Sequence, residues 1–479
     1  MQTFWKIIGV FLLFLILLAA VCLKPLDATP YQQTEFYKKQ VEVIEKLSFK
    51  TDTADSILLC GWSRVNLTPP FTTPIAIDAD RGGKHWSEVH DSIFVAAFVF
   101  KNAQVKAAYV SCDLLIVPPL VLPVVDSLLK KEGFSQQNIF YTATHSHSSI
   151  GGWHPTLVGE IFAGKFDQRV INHIAYCISK SIIDASSNMK QAAVSHSEIA
   201  APEFVFNRLV GDKGCVDDKI RMLTIIREDS SKGMIATYAA HATCLHKGTM
   251  ELSGDWPSAL KDSVEKKIPN LFFCFSAGAV GSMGPVEKHS EKWKQVDFMA
   301  NGVAEKIVAD TTISVKLESK NLGMWHMPLH LREPSLRVND FLVVRPWLFY
   351  RFFGKEETYI NMLQIGNISF CGTPCDFSGE LNNEISKSFS GKNIVITSFN
   401  GSYIGYVTMP KWYTLNAYET RTMGWFGHDT GTYLLDIIVR YINKSNPLIA
   451  YFTQENIYLK SFKHNICKQF PNYHEKINT

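Results

Sequence analysis

The chain reads as an α/β protein with one or two central mixed β-sheets flanked by helices, carried behind an N-terminal transmembrane anchor. Three observations predict this. Short apolar, β-rich runs alternate with longer helical stretches from residue 58 onward. One uncharged apolar run sits near the start of the chain. Ligand-type side chains follow directly on several strand-like runs, where open α/β sheets gather their chemistry.

Taken in order, Ile7 to Leu23 is almost wholly apolar, preceded by Lys6 and followed by Lys24 and Pro25. It is just long enough to cross a bilayer as a helix. A cleaved signal peptide would place small residues at a cleavage site, and Ala19-Ala20-Val21-Cys22 matches that poorly. An uncleaved signal anchor over residues 1–24 is therefore preferred to a cleaved signal, and either puts the bulk of the chain on the extracytoplasmic side, periplasmic or extracellular. Residues 25–57 read as a polar, helical stalk, with the folded body starting near Leu58.

Within the body, Val105 to Asp113 and Ile139 to Thr142 read as strands, with Val117 to Lys131 a helix between them. Phe166 to Ser186 is a helix. Ile220 to Arg227 and Met234 to Ala240 form a hairpin around Ser230-Ser231-Lys232-Gly233. Trp256 to Lys266 is a helix with Ser253 and Asp255 as cap candidates and Pro257 in its first turn. Leu271 to Ser276, Gln364 to Phe370 and Ile394 to Phe399 read as further strands, and Phe377 to Ser388 as a helix. The aromatic stretch Phe341 to Phe353, with Arg345 and Arg351, has two readings: a buried strand or helix, or an apolar lip that touches lipid or guides an acyl chain.

Composition narrows the function. The 479 residues are 46% hydrophobic and 12% aromatic, the signature of a folded body rather than a disordered one. A net charge of +3 provides no basic field for nucleic acid, which is excluded as a partner. One of the ten cysteines, Cys22, lies in the anchor; the remaining odd number, without repeated short spacing, makes no disulfide framework or thiolate zinc knot. The oligomeric state is not encoded in any feature of the chain.

The chemistry collects at strand ends. Ile139-Phe140-Tyr141 runs into Thr142-Ala143-Thr144-His145-Ser146-His147-Ser148, followed by a turn-forming Ser149-Ile150-Gly151-Gly152. Met234 to Ala240 runs into His241, Gln364 to Phe370 into Gly372-Thr373-Pro374-Cys375-Asp376, and Ile394 to Phe399 into Asn400 through Tyr406. Two imidazoles and a carboxylate make the usual hydrolytic zinc set. Each residue taken singly is as well explained by a hydrogen-bonded loop; the recurrence favours a metal.

These blocks resemble, in order, those of the neutral/alkaline (non-lysosomal) ceramidase family. Gly61-Trp62-Ser63-Arg64-Val65-Asn66-Leu67-Thr68-Pro69 and Val89-His90-Asp91-Ser92 are similar to its opening, and Thr144-His145-Ser146-His147-Ser148 to its Thr-His-Thr-His-Ser block. Asn207-Arg208, His241-Ala242-Thr243 with Ser253-Gly254-Asp255, Gly372-Thr373-Pro374-Cys375-Asp376-Phe377, and Tyr406-Val407-Thr408 with Tyr418-Glu419 follow. The resemblance implies that His145, His241, Asp376 and Tyr406 hold one Zn2+. It implies that His147, Arg208 and Tyr418 line the pocket and bind the scissile carbonyl or its oxyanion. The implied reaction is hydrolysis of the N-acyl bond of ceramide or a related N-acyl lipid by metal-activated water, with a sphingolipid or other N-acyl lipid as substrate partner.

The match departs at two places. Where the family has Gly-Asp-Val-Ser-Pro-Asn, this chain has Gly281-Ser282-Met283-Gly284-Pro285-Val286, so Gly284 replaces the family serine and Ser282 is left as the nearby hydroxyl, a candidate catalytic residue. Asp376 stands where the family has glutamate. The resemblance makes residues 58–479 a ceramidase-like catalytic domain, with the family's C-terminal β-sandwich expected to be absent. Two alternatives follow from the departures: a zinc hydrolase of a non-ceramide amide or ester, or a catalytically silent membrane-anchored binding protein.

Overall fold

Two β-sheets lie face to face between layers of helix in the computed structural model, which describes residues 2–47, 57–76, 81, 83–245, 248–310, 321–389 and 391–445. The larger sheet has eight strands in the order Leu271–Ala277, Lys232–Tyr238, Lys219–Arg227, Lys190–Ala200, Leu59–Asn66, Phe94–Lys101, Lys106–Cys112 and Ile139–Ala143. Its two outermost pairs are parallel and the rest antiparallel, a mixed sheet as the alternating pattern predicts. The smaller sheet orders Leu322–Pro328, Tyr359–Ile365, Ile368–Gly372 and Asn393–Thr397, with only the last pair parallel.

Packing explains the layers. Phe98, Phe100, Phe140, Leu363, Phe370 and Val395 fill the space between the sheets, all effectively solvent-free. Helices Val121–Leu129 and Gln168–Ser187 cover one outer face of the large sheet, and Asp255–Lys267 with Lys292–Ala309 covers another part. Helices Gly379–Ser388 and Thr430–Ser445 cover the small sheet. Strands buried on both faces read as near-continuous apolar runs, which is why Phe94–Lys101 and Ile139–Ala143 show no polar alternation.

Three expectations meet a different outcome. Residues 364–370, expected as one strand, belong to two antiparallel strands that turn at Gly366-Asn367, where Gly366 takes φ of 62°. The helix expected to start at Trp256 starts at Asp255, which itself sits at φ 57° and whose carboxylate accepts from the amides of Cys244, Leu245 and Trp256 rather than capping the helix from outside. The segment expected as a stalk lies against the body over its described part: Tyr31, Gln40 and Ile44 are buried, and the Gln40 amide bonds Pro328 O and the His330 amide. Residues 48–56, and the C-terminal stretch 446–479 on which the sandwich expectation bears, lie outside the described residues.

The N-terminal helix spans Gln2–Cys22, and Thr3–Cys22 is the one helix among the described residues long and apolar enough to cross a membrane. None of that span is buried against the body. The aromatic stretch resolves into the strand Leu342–Val344 and the helix Pro346–Phe353. All nine described cysteines are free thiols, most of them buried as small apolar residues.

Candidate metal centre and active site

The parallel strands of both sheets end on the same side, and their C-terminal loops meet there. Ile139–Ala143 delivers His145 and His147, Lys232–Tyr238 delivers His241, Ile368–Gly372 leads to Asp376, and Asn393–Thr397 leads through Phe399 to Tyr403 and Tyr406. The sheets are tied at this end by Ser398, whose Oγ donates to Gly278 O at 2.8 Å. Asp376-Phe377 and Tyr406-Val407 pair in parallel register, which puts the carboxylate and the phenol side by side.

Local backbone geometry aims these groups. His145 adopts φ of 65°, a left-handed conformation that a histidine holds only when its surroundings impose it. Its ring stacks on Phe399 with centroids 4.1 Å apart. Its Nδ1 lies 2.7 Å from Leu115 O, and His241 Nδ1 lies 2.9 and 3.0 Å from Val280 O and Met283 O. A carbonyl partner fixes the proton on Nδ1 and turns the Nε2 lone pair inward. Gly281 allows the Asp376 strand to come close, because a Cβ at that position would sit 2.2 Å from Asp376 O.

The result is a cluster of acceptors facing one another. Asp376 Oδ1 lies 3.3 Å from His241 Nε2 and 3.5 Å from His145 Nε2, fully buried and without a hydrogen-bond donor. His147 Nε2 is 3.3 Å from His145 Nε2, and ligand nitrogens of His145, His147 and His241 all fall within 4.8 Å of one another. Tyr406 Oη is 3.3 Å from His241 Nε2. Burial keeps the imidazoles neutral: it draws His145 down to about 3 against the opposing pull of Asp376, and holds His147 and His241 well below the usual histidine range. Burial also raises the carboxyl of Asp376. Lone pairs converging in a dry site, with an orphaned carboxylate oxygen among them, are what a divalent cation satisfies. The residues present fit a metal.

Around the cluster, Arg208 follows the short strand Val205–Asn207, and its amide bonds Ser282 O at 2.9 Å. Its guanidinium donates to Tyr406 Oη at 2.9 Å and pairs with Glu419 at 3.1 Å. Tyr418 lies against Tyr406, ring centroids 5.7 Å apart, and is 44% exposed. Tyr403 Oη donates to Asp376 Oδ2 at 2.7 Å. The cluster forms the floor of a cavity of about 610 Å³, which His145, His147, Tyr403, Tyr406 and Tyr418 reach and whose walls include Phe349, Phe353 and Trp425.

The structure thus brings His145, His241, Asp376 and Tyr406 together, with Arg208 and Tyr418 beside them. It differs from expectation at two positions. His147, which the resemblance implies as a substrate contact although the His145-x-His147 spacing by itself reads as a metal half-site, has its Nε2 inside the donor cluster. Ser282 does not line the cavity: it is fully buried and its Oγ shares a 2.6 Å hydrogen bond with Ser378 Oγ, which in turn accepts from the Glu380 amide at a helix start. Tyr403, Glu419 and Phe399 were not singled out from sequence. The signals for Tyr403 and Glu419 are their places three residues before Tyr406 and directly after Tyr418; Phe399 is marked only as the end of a strand-like run.

Residues 83–283 match the family model described as neutral/alkaline non-lysosomal ceramidase, N-terminal. The chain is 28% identical over 189 residues to a neutral ceramidase of Mycobacterium tuberculosis, covering 35% of this chain and 29% of that protein's length. Its fold is similar to the crystal structure of neutral ceramidase from Pseudomonas aeruginosa, with a TM-score of 0.69 at 15% identity over 82% of this chain and 75% of that one. A structure described as ceramidase complexed with C2 superposes with a TM-score of 0.68 at 14% identity, over 83% and 76% of the two chains.

Proposed function

We propose that this chain, which carries the neutral/alkaline non-lysosomal ceramidase N-terminal region in residues 83–283, is a zinc-dependent amide hydrolase that cleaves the N-acyl bond of ceramide or a related N-acyl lipid. One observation carries the proposal: inward-facing imidazole nitrogens and a donorless carboxylate oxygen at the floor of a deep cavity with aromatic walls. His145, His147, His241, Asp376 and Tyr406 would hold the cation. A bound zinc ion supplies Lewis-acid polarisation of the carbonyl and acidifies the attacking water.

The chain's own residues do the rest. The permanently protonated guanidinium of Arg208, held between Tyr406 and Glu419, provides positive charge beside the place where the oxyanion develops. Tyr418, which lines the cavity beside Tyr406, is placed to orient the scissile carbonyl. Phe349, Phe353 and Trp425 exclude water and accept an acyl chain. The absent family serine at Gly284 is no obstacle, because attack by water needs no side-chain nucleophile. The apolar helix Gln2–Cys22 would hold the catalytic body at the extracytoplasmic face of the membrane.

A second reading changes only the substrate, to a more polar amide or ester. It is favoured by the cavity's polar wall, where His154 Nε2 meets Glu356 Oε1 at 2.9 Å. The test is metal analysis and turnover on one preparation. The full chain should bind one zinc per molecule and release fatty acid from N-acyl lipid, and His241→Ala should lose both. A chain without stoichiometric metal, indifferent to chelators, would end the proposal; hydrolysis of soluble esters in preference to ceramide would select the second reading.

A further inference from the structure

The end of the N-terminal helix and the rim of the cavity are built as one piece. Leu23–Pro25, directly after the helix, pairs antiparallel with Leu342–Val344, and the Leu26 amide extends the pairing to Phe341 O at 2.8 Å. The last helical carbonyls are capped from the same segment. The Arg345 amide donates to Cys22 O at 2.8 Å, and its guanidinium donates to Ala20 O and Leu23 O at 3.0 and 2.9 Å. No linker separates the helix from this clamp. The strand then enters the helix Pro346–Phe353, which turns Phe349, Tyr350 and Phe353 into the cavity.

The opposite face of that helix exposes aromatic side chains around Arg351, and Trp347 Nε1 reaches Val21 O in the N-terminal helix at 3.4 Å. Trp347 is 53% exposed, Phe352 37%, and Phe341 at the turn before it 80%. The neighbouring helix Leu157–Ala163 repeats the arrangement: Val158 and Phe162 line the cavity, while Leu157 and Ile161, one turn apart, stand more than half exposed. Lys24 directly follows the last helical turn, and Arg345 and Trp347 bond carbonyls of that turn and the strand after it, the residue types of an interfacial belt.

We propose that this rim is seated in the bilayer leaflet that holds the N-terminal helix, and that the enzyme draws its lipid laterally from that leaflet into the cavity. The inference rests on the lipid-hydrolase reading for its substrate, and on the clamp together with the membrane-anchor reading of Gln2–Cys22 for its geometry. The occupant of the exposed aromatic face is the membrane, because the face is tied by the Leu23–Pro25 pairing and by Arg345 and Trp347 to a helix long and apolar enough to cross a bilayer. Substrate held in a second membrane, or free in water, would have to reach a mouth pressed against the first.

The full chain in phosphatidylcholine vesicles tests both parts. Quenching of tryptophan fluorescence by lipids brominated on the acyl chain, compared between the parent and Trp347→Phe, isolates the contribution of Trp347. A quenched difference spectrum is expected; an unquenched one overturns the seat, as does cross-linking that shows the face covered by a second copy. Long-chain ceramide in the same vesicles should be hydrolysed at least about tenfold faster than ceramide in separate vesicles, and the triple variant Phe341→Ser, Trp347→Ser, Phe352→Ser should lose about tenfold on the vesicle substrate. The same variant should keep its rate on a water-dispersed short-chain ceramide. Equal rates for the two vesicle arrangements overturn lateral uptake. A parent inactive on every ceramide would instead refute the proposed function, and the quenching result would still decide the seat.

Discussion

Replacing Tyr403 by phenylalanine removes one hydroxyl and leaves the ring where it is, against Trp425 and Phe399. That hydroxyl donates to Asp376 Oδ2 at 2.7 Å, and it orients the carboxylate so that Oδ1 faces the imidazoles of His145 and His241. A hydrogen bond to a buried charged group is worth about 1.5–3 kcal/mol. Only the part that differs between metal-loaded and metal-free protein reaches the affinity. Loss of an orienting partner of this kind weakens metal binding by about 10- to 100-fold, roughly 1.4–2.7 kcal/mol. Competition for zinc against a fluorescent chelator, with the full chain in detergent, reads this directly, and the melting temperature of metal-free protein controls for folding. The deficit should widen as pH falls, since a carboxylate that has lost a donor takes up a proton more readily. Zinc affinity within about twofold of the parent would show that Tyr403 is only a packing residue and that the orientation argument is wrong.

Ser282→Ala should change N-acyl hydrolysis by less than about threefold, because its Oγ is bonded to Ser378 and does not line the cavity; a loss of about 100-fold or more would restore it as a catalytic hydroxyl. Arg208→Leu should lower kcat by about 100-fold with zinc content unchanged, since the guanidinium acts on developing charge; a change confined to KM would assign it to ground-state binding. At Asp113, burial pushes the carboxyl up to about 6, above its unfolded value of about 3.9, so its contribution favours the folded state below the unfolded value and is lost as pH rises through the folded one. Asp113→Asn removes that dependence, and its melting temperature relative to the parent should climb by roughly 2–4 °C between pH 5 and 7.5; a flat difference would mean that Lys261 fully compensates the charge.

Strand ends were the legible part of this molecule. Strands buried on both faces announce themselves as apolar runs, and the ligand-type residues after Ala143, Tyr238 and Gly372 stand out against them. The hairpin at Gly366-Asn367 was hidden because apolar residues continue across the turn on both sides. The docking of residues 25–47 was hidden for the opposite reason: only scattered positions, such as Tyr31, Gln40 and Ile44, meet the body, too few to lift an otherwise polar segment above a stalk. The His145-x-His147 spacing already reads as a metal half-site, and it is the resemblance that assigns His147 to substrate; the left-handed turn at His145 brings both rings to one point. Tyr403, close to Tyr406, and Glu419, beside Tyr418, stand next to residues that the sequence marks, but their partners Asp376 and Arg208 lie on other loops, so their roles show only in the fold.

The donor set is divided between the plates of the sandwich: His145, His147 and His241 hang from the eight-stranded sheet, Asp376 and Tyr406 from the four-stranded one. A cation at their meeting point would therefore be a rivet. Its occupancy at a hundred times the dissociation constant adds about 2.7 kcal/mol against separation of the two plates, and stripping it would let them shear at the very end where the mouth must keep its shape.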